Sequence, residues 1–231
     1  MRDVDTRLTV LSPARKSSIL VGPGYWRLKR VVDIVITLLL LPLLVPLMLL
    51  IAIAIKLYSP GPILYHQQRI GKDGQPFKML KFRSMHVGNS NQSHRQFMER
   101  IIRENLRPED VGLKVMKLQN DPRITKPGKL LRLLSLDELP QFINVLRGEM
   151  SIVGPRPPLP YEYELYNDWH KRRLAVAPGI TGLWQVIAHN HVSFDEMVQI
   201  DLDYIQSMSL WLDLKVMVLT PWEMVSGKGG G

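Results

Sequence analysis

The chain has 231 residues, a formal net charge of +9 and no cysteine, so a disulfide framework is excluded. Acidic and basic side chains balance after residue 83, and the whole basic excess precedes that point. This distribution favours contact with anionic lipid headgroups or phosphorylated ligands, and it argues against a nucleic-acid partner.

The chain divides by composition into four segments. Residues 1–25 contain Ser-Pro and Gly-Pro-Gly breaks and are predicted to form a loosely ordered arm. An apolar segment over 26–58 precedes residues 59–226, which are numerous enough for one globular domain with its own core. The glycine-rich residues 227–231 are predicted to be a disordered tail.

An uncharged apolar run of 22 residues, Ile34 to Ile55, is the strongest signal in the chain. At about 1.5 Å per residue it is long enough to cross a hydrocarbon core of about 30 Å. Pro42 and Pro46 lie near its middle, where each removes a backbone donor and clashes with the carbonyl four residues earlier. Basic residues flank the run on both sides, whereas a spanning helix usually has its basic excess on one side.

These features predict a re-entrant helix-break-helix over 26–58 that enters and leaves the membrane through the same face. The two prolines are the predicted site of the break. Proline kinks also occur in ordinary spanning helices, and a kinked spanning helix is therefore the alternative.

The remaining residues predict an α/β fold that is predominantly helical, with a small β-hairpin and helices that lie on the membrane surface. Strands are predicted at Ile63–Ile70 and Pro76–Met85, joined by a Gly71–Gly74 turn. Trp211 and Trp222 fall on nearly one face of the last helix, which is compatible equally with a helix on the membrane surface and with a buried core helix. Helical segments are predicted at 93–106, 129–134, 139–146, 161–176, 194–208 and 210–225.

The segment Ser135–Gln141 is the sharpest local signal for chemistry. Asp137 and Glu138 lie just before an apolar run, and Pro140 suits only the first turn of a helix. Ser135 with Glu138 matches a capping box, so a purely structural role is one interpretation. In the functional interpretation the same helix N-terminus attracts phosphate, and an ionised Asp137 attacks the phosphorus of a metal-neutralised diphosphate.

Three basic residues are candidates for binding phosphate. Arg156 lies between prolines, which hold the backbone and present the guanidinium with little conformational entropy to lose. Lys81 and Arg83 alternate along the second predicted strand and share one face of it. A solvated loop and a solvated strand face are the alternative interpretations.

Other patterns in the sequence carry less information. The turn motifs at 121–125 and 178–182 shape either a ligand loop or a corner of the fold. The six histidines show no metal-ligand spacing, and the sequence contains no Walker loop, no GxGxxG and no nucleophile-elbow serine.

Taken together, these segments resemble the bacterial sugar transferases, the monotopic polyprenyl-phosphate phosphoglycosyl transferases. The run SLDELPQFINVLRGEMSIVGPRP is the most specific part of the resemblance, which covers about residues 26 to 220. The matching stretches are 29–33, 59–62, 81–85, 121–125, 135–141, 144–157 and 178–185.

The resemblance implies transfer of a phosphosugar from a UDP-sugar to undecaprenyl phosphate, with release of UMP and use of Mg²⁺. It implies that Asp137 is the nucleophile and contacts Mg²⁺, that Glu138 is its partner in an acidic dyad, and that Arg156 holds a phosphate. The implied location is the cytoplasmic face of the bacterial inner membrane, in contact with phospholipid. Such a reaction would be the first membrane step in the assembly of an exopolysaccharide, capsule or O-antigen. Which sugar is transferred and the oligomeric state, a homodimer included, stay open.

The chain departs from the family pattern in two places. The family's Ser-Pro break aligns with Val45-Pro46, so the proline is kept, the serine hydroxyl is absent, and Pro42 is a candidate for compensation. After Gln185 the family often has Gly-Arg-Asn, whereas this chain has Ala-His-Asn at 188–190, and the role of this loop stays open.

Two other functions are compatible with the sequence. A non-catalytic membrane-anchored module would bind anionic lipid or polymer through the basic flanks and be indifferent to changes at Asp137 and Glu138. A lipid-phosphate hydrolase would release product without an acceptor lipid.

Overall fold

The structure, a computed structural model, describes residues 22–86, 92–111, 123–188 and 192–225. Most of the predicted arm, the tail at 227–231, part of the 121–125 motif and most of the 188–190 loop lie outside these ranges. Within them the fold is mostly helical, with two small two-stranded sheets.

Helices account for most of the described elements. The strands are β1 (Leu64–Ile70), β2 (Pro76–Phe82), β3 (Ser151–Val153) and β4 (Gly179–Thr181). The helices are α1 (Pro23–Tyr58), α2 (Gln92–Glu104), α3 (Lys126–Leu133), α4 (Gln141–Arg147), α5 (Pro160–Tyr163), α6 (Asp168–Lys171), α7 (Leu183–Ile187), α8 (Phe194–Ser207) and α9 (Leu210–Val225). Short 3₁₀ turns lie at Lys72–Gly74, Pro108–Val111, Leu136–Glu138 and Arg172–Ala175.

The predicted hairpin is confirmed. Strands β1 and β2 pair antiparallel, with Leu64 opposite Phe82 and Ile70 opposite Pro76. The connection turns through Asp73 and Gly74, which have φ angles of 54° and 76°. Glycine and aspartate tolerate these left-handed angles, which is why the turn could be predicted from the sequence.

One segment that was predicted to be a single helix is divided into shorter elements. The segment 161–176 contains α5, α6 and a 3₁₀ turn rather than one helix. The Asn167 side chain accepts a hydrogen bond from the backbone nitrogen of His170 and so begins a new helix in the middle of the segment. The pairing of β3 with β4 was not predicted, because three-residue strands carry no periodic pattern.

Helix α1 has 36 residues and runs through Pro42 and Pro46. The predicted break in the helix is therefore wrong, because the structure has one continuous helix where two were expected. Each proline removes one backbone hydrogen bond, and the leucine-rich turns on either side keep the remaining ones. Among the described residues, α1 is the one helix long and apolar enough to cross a membrane by length and composition.

The N-terminal part of α1 is fastened to the body by buried polar contacts. Lys29 Nζ lies 2.6 Å from Asp213 Oδ2 of α9. The Arg30 guanidinium donates to the carbonyl oxygens of Val145 and Leu146, where α4 ends. These contacts place the positive charge at the C-terminal end of the α4 dipole.

The same part of α1 also reaches β3. Asp33 accepts a hydrogen bond of 2.7 Å from the Ser151 hydroxyl and one of 3.3 Å from the backbone nitrogen of Ile152. This carboxylate therefore ties the helix to the strand that leads into the Arg156 segment.

The C-terminal part of α1 packs against the same body through apolar contacts. Ile51 and Ile55 are buried in a cluster with Phe82 of β2 and Leu131 of α3. Both flanks of the apolar helix thus lie on one folded unit, although more than twenty residues separate Lys29 from Ile51 along the chain.

We predict that Asp213→Ala destabilises the fold by about 3–5 kcal/mol, because it leaves the Lys29 ammonium buried without its counter-charge. The Tyr204 hydroxyl loses the nearer of its two acceptors as well, because it donates to Asp213 Oδ1 over 2.6 Å and to the Val153 carbonyl over 3.2 Å. In detergent micelles the thermal unfolding midpoint should fall by roughly 10 °C. The control is Asp168→Ala, whose side chain is fully exposed; equal midpoints for the two variants would contradict the prediction.

Candidate functional site

The site is built at the point where helix α3 is fastened to the end of β2. The backbone nitrogen of Thr125 donates to the Ser84 carbonyl over 3.0 Å, and the Thr125 hydroxyl accepts from Gly128 over 3.0 Å. A Cβ atom on Gly128 would lie 2.1 Å from the Ser84 oxygen, so only glycine permits this approach. The end of α3, which leads to the acidic pair, is therefore set by the hairpin.

A sharp turn delivers the two acids. Ser135 adopts the left-handed conformation with a φ of 51°, and the 3₁₀ turn Leu136–Glu138 follows directly. The Ser135 side chain makes no capping bond, so the capping-box interpretation of this segment is wrong. A residue that caps a helix N-terminus has extended backbone angles, which Ser135 does not have. Asp137 is buried, with 6% of its surface exposed.

Glu138 faces the hairpin and forms an ion pair with Lys81, at 2.6 Å between Oε1 and Nζ. Glu138 lies in the turn before α4, and Asn144, which is fully buried on α4, holds that helix against the strand of Lys81. The Asn144 Oδ1 accepts from the backbone nitrogen of Leu80, and its Nδ2 donates to the carbonyl of Lys78. These two bonds lock α4 to β2 on either side of one residue. The acidic pair and the strand lysine are thus held together by an amide that the sequence analysis did not single out.

The Arg156 segment is held by the second predicted turn motif. The backbone nitrogen of Gly154 donates to Thr181 over 2.9 Å, and that of Gly179 donates to Pro155 over 3.0 Å. A Cβ atom on Gly179 would meet the Gly154 nitrogen at 2.1 Å. The Arg156 segment 154–158 and the motif at 178–182, which carried little information alone, therefore form one interlocked unit that presents Arg156.

Arg69 is the functional candidate that the sequence analysis missed. Its guanidinium is buried, donates to the Pro157 carbonyl over 2.7 Å and to the Gln67 side chain over 2.8 Å and 3.1 Å. Burial, and next the neighbouring charge of Arg156, lower the pKa of Arg69 to about 10. The arginine remains charged at neutral pH, and two adjacent guanidinium groups form a strong site for an anion.

These segments meet at a small cleft between the hairpin, the acidic turn and the Arg156 loop. Its cavity volume is about 10 Å³, roughly the room one water molecule needs. The cleft brings together three predicted site residues, Lys81, Glu138 and Arg156, and Asp137 precedes Glu138 in the same turn. Its lining is Arg69, Met79, Lys81, Glu138, Gln141, Arg156, Pro157, Gly179 and Ile180.

Arg83 has different neighbours from the other predicted phosphate ligands. Its guanidinium donates to the Ser59 carbonyl, the Ser59 hydroxyl and the Pro60 carbonyl over 2.6–2.8 Å. These bonds hold the turn through which the chain leaves α1. Arg83 does not line the cleft, so its contact with phosphate stays a prediction, whereas its role in this turn is visible.

The acidic pair includes Asp137, the residue predicted to contact Mg²⁺. Within the described residues, no group of three or more His, Asp or Glu side chains is placed to hold a metal ion. Mg²⁺ is usually bound by one or two carboxylates together with substrate phosphates and water, so a two-carboxylate turn beside an anion site suits it. Magnesium binding at Asp137 therefore stays a prediction that the donor set fits.

The chain was compared with known proteins. Residues 24–227 match the bacterial sugar transferase family. The exopolysaccharide production protein ExoY of Sinorhizobium fredii is 43% identical over 192 residues, which are 83% of this chain and 83% of that protein. The galactosyl transferase CpsE of Streptococcus agalactiae is 46% identical over 170 residues, 73% of this chain and 36% of that protein. The UDP-glucose:undecaprenyl-phosphate glucose-1-phosphate transferase of Escherichia coli is 42% identical over 201 residues, 84% of this chain and 39% of that protein.

The chain belongs to the bacterial sugar transferase family, and the resemblance drawn from its motifs is confirmed. The prediction that it is a transferase enzyme is confirmed with it. The chain spans most of the length of ExoY and less than two fifths of the length of the other two relatives.

We predict that Arg69→Lys weakens the binding of inorganic pyrophosphate, used as an anion probe, about tenfold or more, because one charge-assisted hydrogen-bond fork is lost. Calorimetric titration of the two proteins measures the effect. Arg103→Lys, an exposed position on α2, is the matched control. Unchanged pyrophosphate affinity in a folded Arg69→Lys protein would remove Arg69 from the anion site.

Proposed function

We propose that this enzyme transfers a phosphosugar from a UDP-sugar to undecaprenyl phosphate at the membrane surface and releases UMP. The observation that carries the proposal is the cleft, in which Glu138, next to Asp137 in the chain, pairs with Lys81 and which Arg69 and Arg156 also line. The names of the relatives support it, since the E. coli protein is a UDP-glucose:undecaprenyl-phosphate transferase and a Salmonella typhimurium relative is an undecaprenyl-phosphate galactose phosphotransferase.

Binding of the donor has to open the cleft, which otherwise has about the room of one water molecule, and it uses the cationic side. Arg69 and Arg156 hold the diphosphate oxygens of the nucleotide sugar through planar hydrogen-bond forks. Lys81 exchanges part of its contact with Glu138 for a phosphate oxygen when substrate binds. Asp137 would hold Mg²⁺, and the metal would supply further neutralisation of the diphosphate charge.

Asp137 is the proposed nucleophile. A carboxylate oxygen of Asp137 forms a bond to the sugar-bearing phosphorus while the bond from that phosphorus to UMP breaks. An oxygen of the lipid phosphate then attacks the same phosphorus and returns Asp137 to its free carboxylate. Because Asp137 is buried, water has little access to the phosphosugar-aspartate, which favours transfer over the hydrolase alternative.

The acceptor arrives through the membrane, so the position of α1 matters for the reaction. Both flanks of α1 pack on the body that carries the cleft, and a straight span would carry one flank to the opposite surface. We therefore propose that α1 bends at its prolines without ending there, that it is re-entrant, and that the body lies on the cytoplasmic face of the bacterial inner membrane. This arrangement holds the cleft near the depth of the lipid phosphate and supplies proximity.

Two further helices carry outward apolar faces that suit the headgroup region. On α9, Leu212 and Val216 are buried in the core, so the helix meets both predicted alternatives, core on one side and surface on the other. Its exposed face is Trp211, Leu214, Val218 and Trp222, and the exposed apolar residues around α3 are Leu130, Leu133 and Leu134. Tryptophan and leucine on one face favour a helix that lies in the membrane interface.

We predict that Asp137→Asn abolishes UMP release from every UDP-sugar in a panel tested with undecaprenyl phosphate, because an amide does not form the acyl phosphate. A coupled assay for UMP measures the effect, and Asp203→Asn on the exposed face of α8 is the control. Substantial turnover by the Asp137→Asn protein would contradict the covalent mechanism. Turnover absent from the unaltered protein as well would favour the non-catalytic module.

Isotope exchange tests the intermediate separately. Without acceptor lipid, the unaltered enzyme should exchange labelled UMP into the UDP-sugar, because the first half-reaction is reversible and complete in itself. Asp137→Asn should show no exchange. Lack of exchange by an enzyme that turns over with both substrates would indicate direct transfer instead.

The absence of cysteine allows a labelling test of the re-entrant path. Gly22→Cys and Asp73→Cys place single thiols before α1 and in the hairpin that follows it. An impermeant maleimide should label both thiols in inside-out vesicles and neither in right-side-out ones. Labelling of the two thiols from opposite sides would establish a spanning helix.

A further inference from the structure

A second cleft lies between α2 and α5, and neither the acidic turn nor the anion site uses it. Its cavity volume is about 610 Å³, within the range of small-molecule sites. It is lined by Gln92, Arg95, Gln96, Glu99 and Tyr161. Helix α2 is anchored behind it, because Ile101 and Ile102 are buried in the main core.

The lining is polar and nearly neutral. Arg95 and Glu99 pair with each other over 2.8 Å, so neither sign of charge dominates. The Gln96 amide offers a donor and an acceptor, and the Tyr161 hydroxyl lies 2.6 Å from His94 Nδ1. Amides, a carboxylate and a phenol suit the alternating donors and acceptors of sugar hydroxyl groups better than they suit a phosphate.

The second cleft adjoins the anion site. Arg69 donates to the Pro157 carbonyl over 2.7 Å, and α5, which carries Tyr161, begins three residues after Pro157. Burial lowers the pKa of His94 and, against the opposing charge of Glu162, the nearby guanidinium groups of Arg69 and Arg156 lower it further. Because α5 packs against β1, the strand that carries Arg69, a group attached to a phosphate on Arg69 lies towards the edge of the second cleft.

We infer that the second cleft holds the sugar of the nucleotide sugar and distinguishes epimers through Gln96 and Tyr161. This inference rests on the proposed function, which supplies the phosphate at Arg69 and Arg156. Sugar selectivity is then set by α2 and α5, which lie outside the most recognisable motifs.

Two other occupants fit the second cleft less well. A polyprenyl chain needs apolar walls, and apart from the Tyr161 ring the lining is entirely polar. A uracil base would stack on an aromatic face, but the Arg95 guanidinium lies 5.6 Å from the centre of the Tyr161 ring and covers one of its faces. The sugar uses the edges and amides rather than the ring faces.

The test compares Gln96→Ala and Tyr161→Phe with the unaltered enzyme, using UDP-glucose and UDP-galactose as donors. For the preferred donor, kcat/KM should fall about 3- to 10-fold relative to its epimer, as expected for one lost hydrogen bond. Product inhibition by UMP, which lacks the sugar, should not change. Gln206→Ala, the same substitution at an exposed position of α8, should leave the ratio of the two donors as it was.

The outcomes separate the inference from the proposed function. An equal loss for both epimers, or a changed inhibition constant for UMP, assigns the cleft to the nucleoside and overturns the inference. Unchanged selectivity in active variants overturns it as well. If the unaltered protein releases no UMP from any UDP-sugar, the proposed function fails and the inference fails with it.

Discussion

The buried ion pair between Lys29 and Asp213 is the contact on which the arrangement of helix and cleft depends. A charge pair taken out of water is stable only with good geometry and further hydrogen bonds, and here Tyr204 donates to the same carboxylate. Arg30 and Asp33 extend this contact to α4 and β3. The apolar helix is thereby fixed relative to the body that carries the cleft.

The cleft is assembled from segments that are far apart in the chain and locked by short polar contacts. Asn144 joins the acidic turn to β2, and the close approach of Gly154 and Gly179 joins the two loops around Arg156. None of these residues needs to touch a substrate for the site to depend on them. For the proposed membrane-bound acceptor this rigidity is useful, because the protein has to hold its own half of the reaction at one depth.

Features that depend on neighbouring residues could be predicted from the sequence, and features that depend on contacts between distant segments could not. The hairpin followed from its glycine turn, and α8 followed from its apolar stripe. Arg69 was missed because a single arginine on a strand is ordinarily solvated, and its burial depends on Pro157 from another part of the chain. The capping-box interpretation failed because the same residues adopt a left-handed turn when α3 and α4 are both held against β2.

By itself, the sequence determined that an apolar helix with basic flanks precedes a mostly helical body, and its motifs placed the chain in its family. These properties are local, since hydropathy, turn residues and motif spacing are readable along a single stretch. Only the tertiary structure decided that α1 continues through its two prolines, that both its flanks rest on one body, and that Arg69 joins Arg156. Those outcomes depend on contacts between residues up to 184 positions apart, such as Lys29 with Asp213, whose energies no local pattern records.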